Sequence, residues 1–496
     1  MLPDGAQYPR IFGAPQGNST DPPSASLDRR LYSLDALRGL AILAMALSGL
    51  VPMGPLPQWM YHAQLIAPAM KHDPTMAGLT WVDLVFPLFL FSMGAAIPLA
   101  LARRAAAGEP GWRLHLRLLR RALLLVFFAI YAQHIAPHTI ANPPTQRAWW
   151  LALAGFVMLF PALTRLPRAW SPWPSRLCRI MGWLGCLGIL VVLNYQPGDG
   201  IALLASRIVR RSDIILLVLA NVAWFGGLIW WWTRGRWPLR VAAMAVMIVM
   251  RLSRDDSGWV QAAWDWTPAA WLYQFRYLQY LLVVLPGTIV GDLLLREQNS
   301  AGAWSRRRAI ISSARSAVLC LLVLALLIGL QARRLPETVL ACILLYGVGE
   351  WLFRGPADDR EGREQAVFRW GSVWLAVGLC FEPFEGGIRK DPATLSYYFV
   401  TVAAACFLLA GFSIVLRGLR PRRALRLLTE TGQNPMIAYV GIRSLLAPAA
   451  ALTGLESASR AVLATPWQGV LRAALKTLLL AVFVAWCTRR RIVWRT

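Results

Sequence analysis

The chain has 496 residues, of which 57% are hydrophobic and 15% charged, and its mean hydropathy is +0.48, which excludes an ordinary soluble domain. A net charge of +26 would suit nucleic acid if it were gathered on one polar domain. The arginines instead fall in short clusters between apolar runs, so the charge reads as membrane topology and not as a nucleic-acid footprint.

In chain order, residues 1–28 are rich in Pro, Gly, Ser and Asp and lack an apolar run, so they are expected to form a flexible cytoplasmic tail ahead of one transmembrane domain over 29–496. The first span runs from near Leu34 to near Val51, just short of the roughly 20 apolar residues that cross a bilayer. A polar loop with His62 and His72 follows, and the stretch Lys71 to Gly94 carries it through Thr80 and Asp83 into a long apolar run. Further spans centre near residues 91, 127, 157, 187, 223, 246, 284, 320, 346, 377, 406, 441 and 477, the weakest being those near 246, 377 and 441. The expected fold is all-α, a polytopic membrane protein with about twelve to fourteen helices.

Every second connection is basic, from Arg29, Arg30 and Arg38 through Arg103 to Arg121, Arg165 to Arg179 and on to Arg489 to Arg491. For an even span count this puts both termini in the cytoplasm and the histidine loop on the opposite side, the periplasm if the membrane is a bacterial inner membrane. Tryptophans such as Trp59, Trp81, Trp149 and Trp271 fall near span ends, as interfacial anchors do. The seven cysteines lack metal-ligand spacing and read as small buried hydrophobes; neither a disulfide framework nor a metal is expected.

Two features carry chemistry. Thr80-Trp81-Val82-Asp83 has capping-box spacing, so Asp83 either caps the following helix or orients an imidazole. His62 and His72 are either solvated loop residues or a general base near an unperturbed pKa of about 6.5. His134 and His138 would share their side of the membrane, and His115 lies in a basic connection as a solvated residue. Pro87 and Pro98 would kink the second span. Arg443, ten residues into a late span, implies a cavity or a partner.

The run Ser33-Leu34-Asp35-Ala36-Leu37-Arg38-Gly39, the histidine loop, Gly78-Leu79-Thr80, and Asp83-Leu84-Val85-Phe86-Pro87 leading to Met93-Gly94 resemble the transmembrane acetyltransferase family of heparan-α-glucosaminide N-acetyltransferase. The similarity is closer to that family's bacterial NagX-like, DUF5009-type relatives. It extends to Pro286 through Asp292, Phe381 through Gly387, Asp391 through Tyr398, and Gly432-Gln433-Asn434-Pro435 with Tyr439. The resemblance implies transfer of an acetyl group from cytoplasmic acetyl-CoA, a co-substrate, to the amine of a glucosamine-type sugar or glycan across the membrane, by a protein whose relatives suggest a homodimer.

The family's histidine lies just before Gly-Leu-Thr. That spacing favours His72, while His62 keeps the family's His-Ala pair and is the second candidate; the family's asparagine near the end of span one falls at Gly49. Arg38 is a candidate for the coenzyme phosphates or for an ion pair with Asp35. Gln433 and Asn434 are either helix caps or part of the cofactor route. Glu382, Glu385 and Arg389, beside Lys390 and Asp391, either bind the sugar or form a solvated loop. Two other functions remain open on the sequence: a sugar permease without acetyl transfer, and an O-acyltransferase of an envelope glycan, though no histidine occurs between Arg38 and Val51 as that group usually has.

Overall fold

Apolar runs in a bilayer satisfy their backbone groups only as helices or closed barrels, and the computed structural model resolves these runs as helices. It describes residues 31–164, 172–197, 200–295, 306–355, 358–418 and 423–494; the tail expected at 1–28 lies outside them, as do Arg165 and Arg168. From Tyr32 onward the chain forms one unit. Fourteen helices among the described residues coincide with the runs read from the sequence. They are α1 (Tyr32–Ser48), α2 (Trp81–Ala106), α3 (Gly111–His134), α4 (Gln146–Leu163), α5 (Pro172–Asn194), α6 (Ile214–Trp232), α7 (Trp237–Leu252) and α8 (Leu281–Leu295). The series continues with α9 (Arg306–Gln331), α10 (Leu335–Phe353), α11 (Asp359–Phe381), α12 (Leu395–Gly418), α13 (Pro435–Leu452) and α14 (Pro466–Arg489).

Ten of these are long and apolar enough to cross a membrane, α8 together with the 3-10 segment Phe275–Tyr280 that leads into it. The other four fall short for visible reasons: α1 and α7 have 17 and 16 residues, and α3 and α11 begin on charged turns. The chain is an all-α polytopic membrane protein. Among the described residues the one sheet is a hairpin of two-residue strands, β1 (Leu65–Ile66) with β2 (Lys71–His72), in the loop between α1 and α2.

The centre of the bundle is α2, against which α1, α8 and α12 pack. Small residues permit that closeness. A Cβ on Gly94 would stand 2.3 Å from the Val284 carbonyl oxygen, and one on Gly287 2.5 Å from that of Phe91, so α2 and α8 meet backbone to backbone. Pro87 and Pro98 both lie inside the continuous α2.

The basic connections are also ion-paired, with Arg240–Asp292 at 2.6 Å, Arg315–Glu361 at 3.1 Å and Arg417–Glu364 at 2.8 Å. Two expectations are corrected. Cys320 and Cys380 are exposed, because the outside of a membrane bundle tolerates apolar groups as its inside does. His115 is half-buried, edge-on to Trp231, because α3 packs against α6. Arg443 is exposed, in a π-helical turn of α13, Ile442–Leu446.

Candidate functional site

The loop between α1 and α2 is built around its own small core of Val51, Leu56, Met60 and Tyr61. The Tyr61 hydroxyl donates to the Pro52 carbonyl (2.8 Å) and accepts from the Leu56 N–H (3.0 Å). The Gln58 amide nitrogen lies 3.1 Å from each of the carbonyls of His62 and Ala63 and 2.8 Å from that of Leu65. These bonds fix the backbone on both sides of His62.

The head of α2 holds the side chain. Asp83 is 1% exposed. Its Oδ2 accepts from the N–H of Thr80 (3.0 Å) and of Ala63 (3.2 Å), while the Thr80 hydroxyl, 3.0 Å away, donates to the Tyr61 carbonyl (2.7 Å). From α12, the Tyr397 hydroxyl donates to the Asp83 carbonyl (2.8 Å). The other oxygen, Oδ1, lies 2.5 Å from His62 Nδ1. Among the described residues Oδ1 has no other partner, so this close contact is what it makes. Asp83 therefore does both things its spacing allowed: it caps the helix and orients an imidazole.

A carboxylate at Nδ1 keeps a proton there and leaves Nε2 as the acceptor nitrogen. That nitrogen is met by Lys390 Nζ, from the loop between α11 and α12. His62 is 25% exposed, so the three-residue chain is reachable from the loop side. Burial pushes the Lys390 ammonium below the ordinary lysine value, partly offset by Asp83 and Asp391.

The loop that delivers Lys390 is cross-braced. Gln64 accepts from the N–H of Asp391 (2.8 Å) and donates to its carbonyl (2.5 Å), and Arg389 donates to the Pro74 carbonyl (3.1 Å). Glu382 is buried against Arg333, and Glu385 pairs with the buried Arg251 at 2.6 Å. Glu382 and Glu385 thus spend their charges holding this loop, and Arg389 spends its two terminal nitrogens there while its Nε is buried without a partner. His72 is exposed on β2, opposite Leu65, and joins none of these contacts. His134 is buried between the Ile130 carbonyl and Asn194, and His138 is exposed beside Trp149.

The remaining candidates lie farther along the bundle. Arg38 is 3.6 Å from Asp35 and donates to the carbonyls of Ser92 (3.4 Å) and Gly432 (3.5 Å). Arg121, ten residues into α3, is within electrostatic reach of Arg38, and its Nε is buried without a partner. An apolar cavity lined by Ile42, Met45, Phe89, Leu216, Met436 and Tyr439 has room for about one water. Asn434 donates to the Ile492 carbonyl (2.7 Å) and accepts from the Trp494 N–H (3.3 Å), so its amide anchors the C-terminal segment. Gln433 is half-buried. Among the described residues no group of three or more His, Cys, Asp or Glu could hold a metal ion.

Sequence reasoning named Lys390 only as a neighbour of Glu382, Glu385 and Arg389, with no link to His62, and did not single out Arg121 or Gln64. A further signal for Lys390 was scarcity, since the chain contains only three lysines: Lys71, Lys390 and Lys476. A family model described as a domain of unknown function, DUF5009, matches residues 30–294, more than half of the chain. No curated protein matches it.

Proposed function

From the premise that the chain belongs to the DUF5009 family, whose description assigns no activity, we propose that it is a membrane acetyltransferase with His62 as general base. The donor is acetyl-CoA on the arginine-rich, cytoplasmic side, and the acceptor is the amine of a glucosamine-type sugar on the side of the histidine loop. The membrane is the bacterial inner membrane, and both termini are cytoplasmic. The observation that carries the reading is the Asp83–His62 pair, whose free ring nitrogen is turned toward a primary amine.

An amine attacks a thioester only when unprotonated. His62 Nε2 takes the proton, and buried Asp83 stabilises the imidazolium that forms, a role worth typically 100- to 10,000-fold in rate. Acetyl-CoA supplies the activated acyl group; its C–S bond breaks as the C–N bond forms, and the thiol leaves with a proton. Arg38 and Arg121 fit an anion such as a coenzyme phosphate, because two guanidinium groups are within electrostatic reach of each other with one donor unspent. Asp83 and Ser92, the α2 residues at the two ends of the route, are nine positions apart, about 14 Å along a helix axis. Phe89, between them on α2, is on the wall of the apolar cavity, and transfer requires α1, α2, α6 and α13 to part around it.

The test incubates purified protein with acetyl-labelled acetyl-CoA and a panel of amino sugars. Label on a sugar amine, lost in His62→Ala and kept in His72→Ala, supports the reading. Absence of label from every sugar rejects it, and binding or passage of a sugar without label favours a permease.

A further inference from the structure

We infer that Lys390 is itself an acyl-acceptor site: a lysine of this chain that an acyl thioester modifies, with His62 as the base. This rests on the acyltransferase reading only for the natural donor. The geometry stands apart from it, since Lys390 Nζ already occupies the position at His62 Nε2 that an acceptor amine must take. Asp83, His62 and Lys390 form the order carboxylate, imidazole, nucleophile that activates weak nucleophiles elsewhere, with an amine in the last place.

The surroundings agree. The loop bearing Lys390 is tied down on both sides, by Gln64 to Asp391 and by Arg389 to Pro74, so the amine is presented to the ring and does not sweep freely. Burial lowers the charge on its nitrogen, which raises the fraction with a free lone pair. The other two lysines differ. Lys71 is exposed on β2, and Lys476 is tied to Glu456. A chain that answers almost every need for positive charge with arginine places one of its three lysines here.

The reaction balances without a further reagent. The neutral Lys390 nitrogen attacks the thioester carbonyl, its proton passes to His62 Nε2, and the C–S bond breaks. The sulfur leaves as a thiol carrying the proton that His62 returns. The product is an amide, inert to a second transfer, so acylation of Lys390 removes the positive charge and blocks the base. In the absence of an acceptor sugar, the protein modifies itself at this position and loses its competence.

The experiment uses the full-length protein in detergent, with acetyl-CoA in one arm and the acetyl thioester of N-acetylcysteamine, which needs no nucleotide site, in the other. Acetylation of Lys71, Lys390 and Lys476 is quantified by peptide mass spectrometry over time. Lys390 is expected to be modified at least tenfold faster than Lys71 by the short thioester. In His62→Gln that rate is expected to fall by about 100-fold while Lys71 is unchanged. Asp83→Asn serves as a second variant, and size-exclusion profiles establish that each is folded. Lys390 labelling equal to that of Lys71, absent, or unaffected in both variants overturns the inference. Labelling by the short thioester without labelling by acetyl-CoA upholds Lys390 and counts against the coenzyme as donor. Transfer to a sugar with Lys390 untouched by either donor overturns Lys390 and leaves the acetyltransferase standing.

Discussion

Replacing Asp83 by asparagine separates the two duties of that residue. The asparagine side chain has nearly the same shape, and its oxygen can still accept from the N–H groups of Thr80 and Ala63, so the head of α2 remains capped. Hydrogen bonds to a charged group contribute about 1.5–3 kcal/mol and neutral ones about 0.5–1.5, so weakening the two backbone contacts and the close contact with the His62 ring costs about 2–3 kcal/mol of stability. The chemical consequence is larger. An amide N–H facing Nδ1 moves the ring proton to Nε2, which leaves no base where the amine arrives, and acetyl transfer should fall by about 100- to 10,000-fold, a barrier increase of roughly 3–5 kcal/mol. The assay is the initial rate of label transfer from acetyl-CoA to glucosamine, normalised to folded protein by size-exclusion chromatography. A folded Asp83→Asn protein working within threefold of the parent rate would refute the role given to this pair.

Three further outcomes follow from other parts of the molecule. Gly287→Leu drives a side chain toward the Phe91 carbonyl, which a Cβ alone would meet at 2.5 Å, and should abolish the folded monodisperse protein, whereas Gly347→Ala, which meets nothing, should leave it intact on the same column. The double variant Arg38→Gln, Arg121→Gln should raise KM for acetyl-CoA tenfold or more and leave KM for the sugar within twofold; equal effects on both would remove the arginines from the donor site. Lys390 makes stability depend on pH. Its folded pKa lies below the ordinary 10.5, so between that lowered value and 10.5 the unfolded chain holds a proton that the fold lacks. Stability therefore rises with pH across this window, by at most about 1.4 kcal/mol per pH unit. It levels off above the window, and below it the full penalty of the buried charge applies. Lys390→Met should remove that component, read as a flatter dependence of the unfolding midpoint on pH.

The helices were legible because a bilayer leaves an apolar run few alternatives, and each run from Leu34 to the last near residue 477 became one. The Gly94 and Gly287 motifs were visible as patterns, but their reason, two backbones in contact, appears only when α2 and α8 are side by side. At the site, local chemistry carried over and distant chemistry did not. Asp83 was readable because its capping partner stands three residues away. Choosing between His62 and His72 by spacing to Gly78 pointed to His72, since spacing does not reveal that the loop folds back through Tyr61 and Gln58 to bring His62 onto α2. Lys390, 328 residues from His62, had no local pattern to betray it. Glu382 and Glu385 looked available to a sugar because their neutralising partners, Arg333 and Arg251, come from distant parts of the chain.

The most direct measurement places the protein in sealed vesicles with labelled acetyl-CoA on the arginine-rich side and glucosamine on the side of the histidine loop. Acetylated sugar should accumulate on the glucosamine side with the parent protein, and about 100-fold more slowly with His62→Ala. Equal accumulation with both proteins, or none with the parent in correctly oriented vesicles, would contradict the assignment of His62 as the base of a transmembrane acetyl transfer.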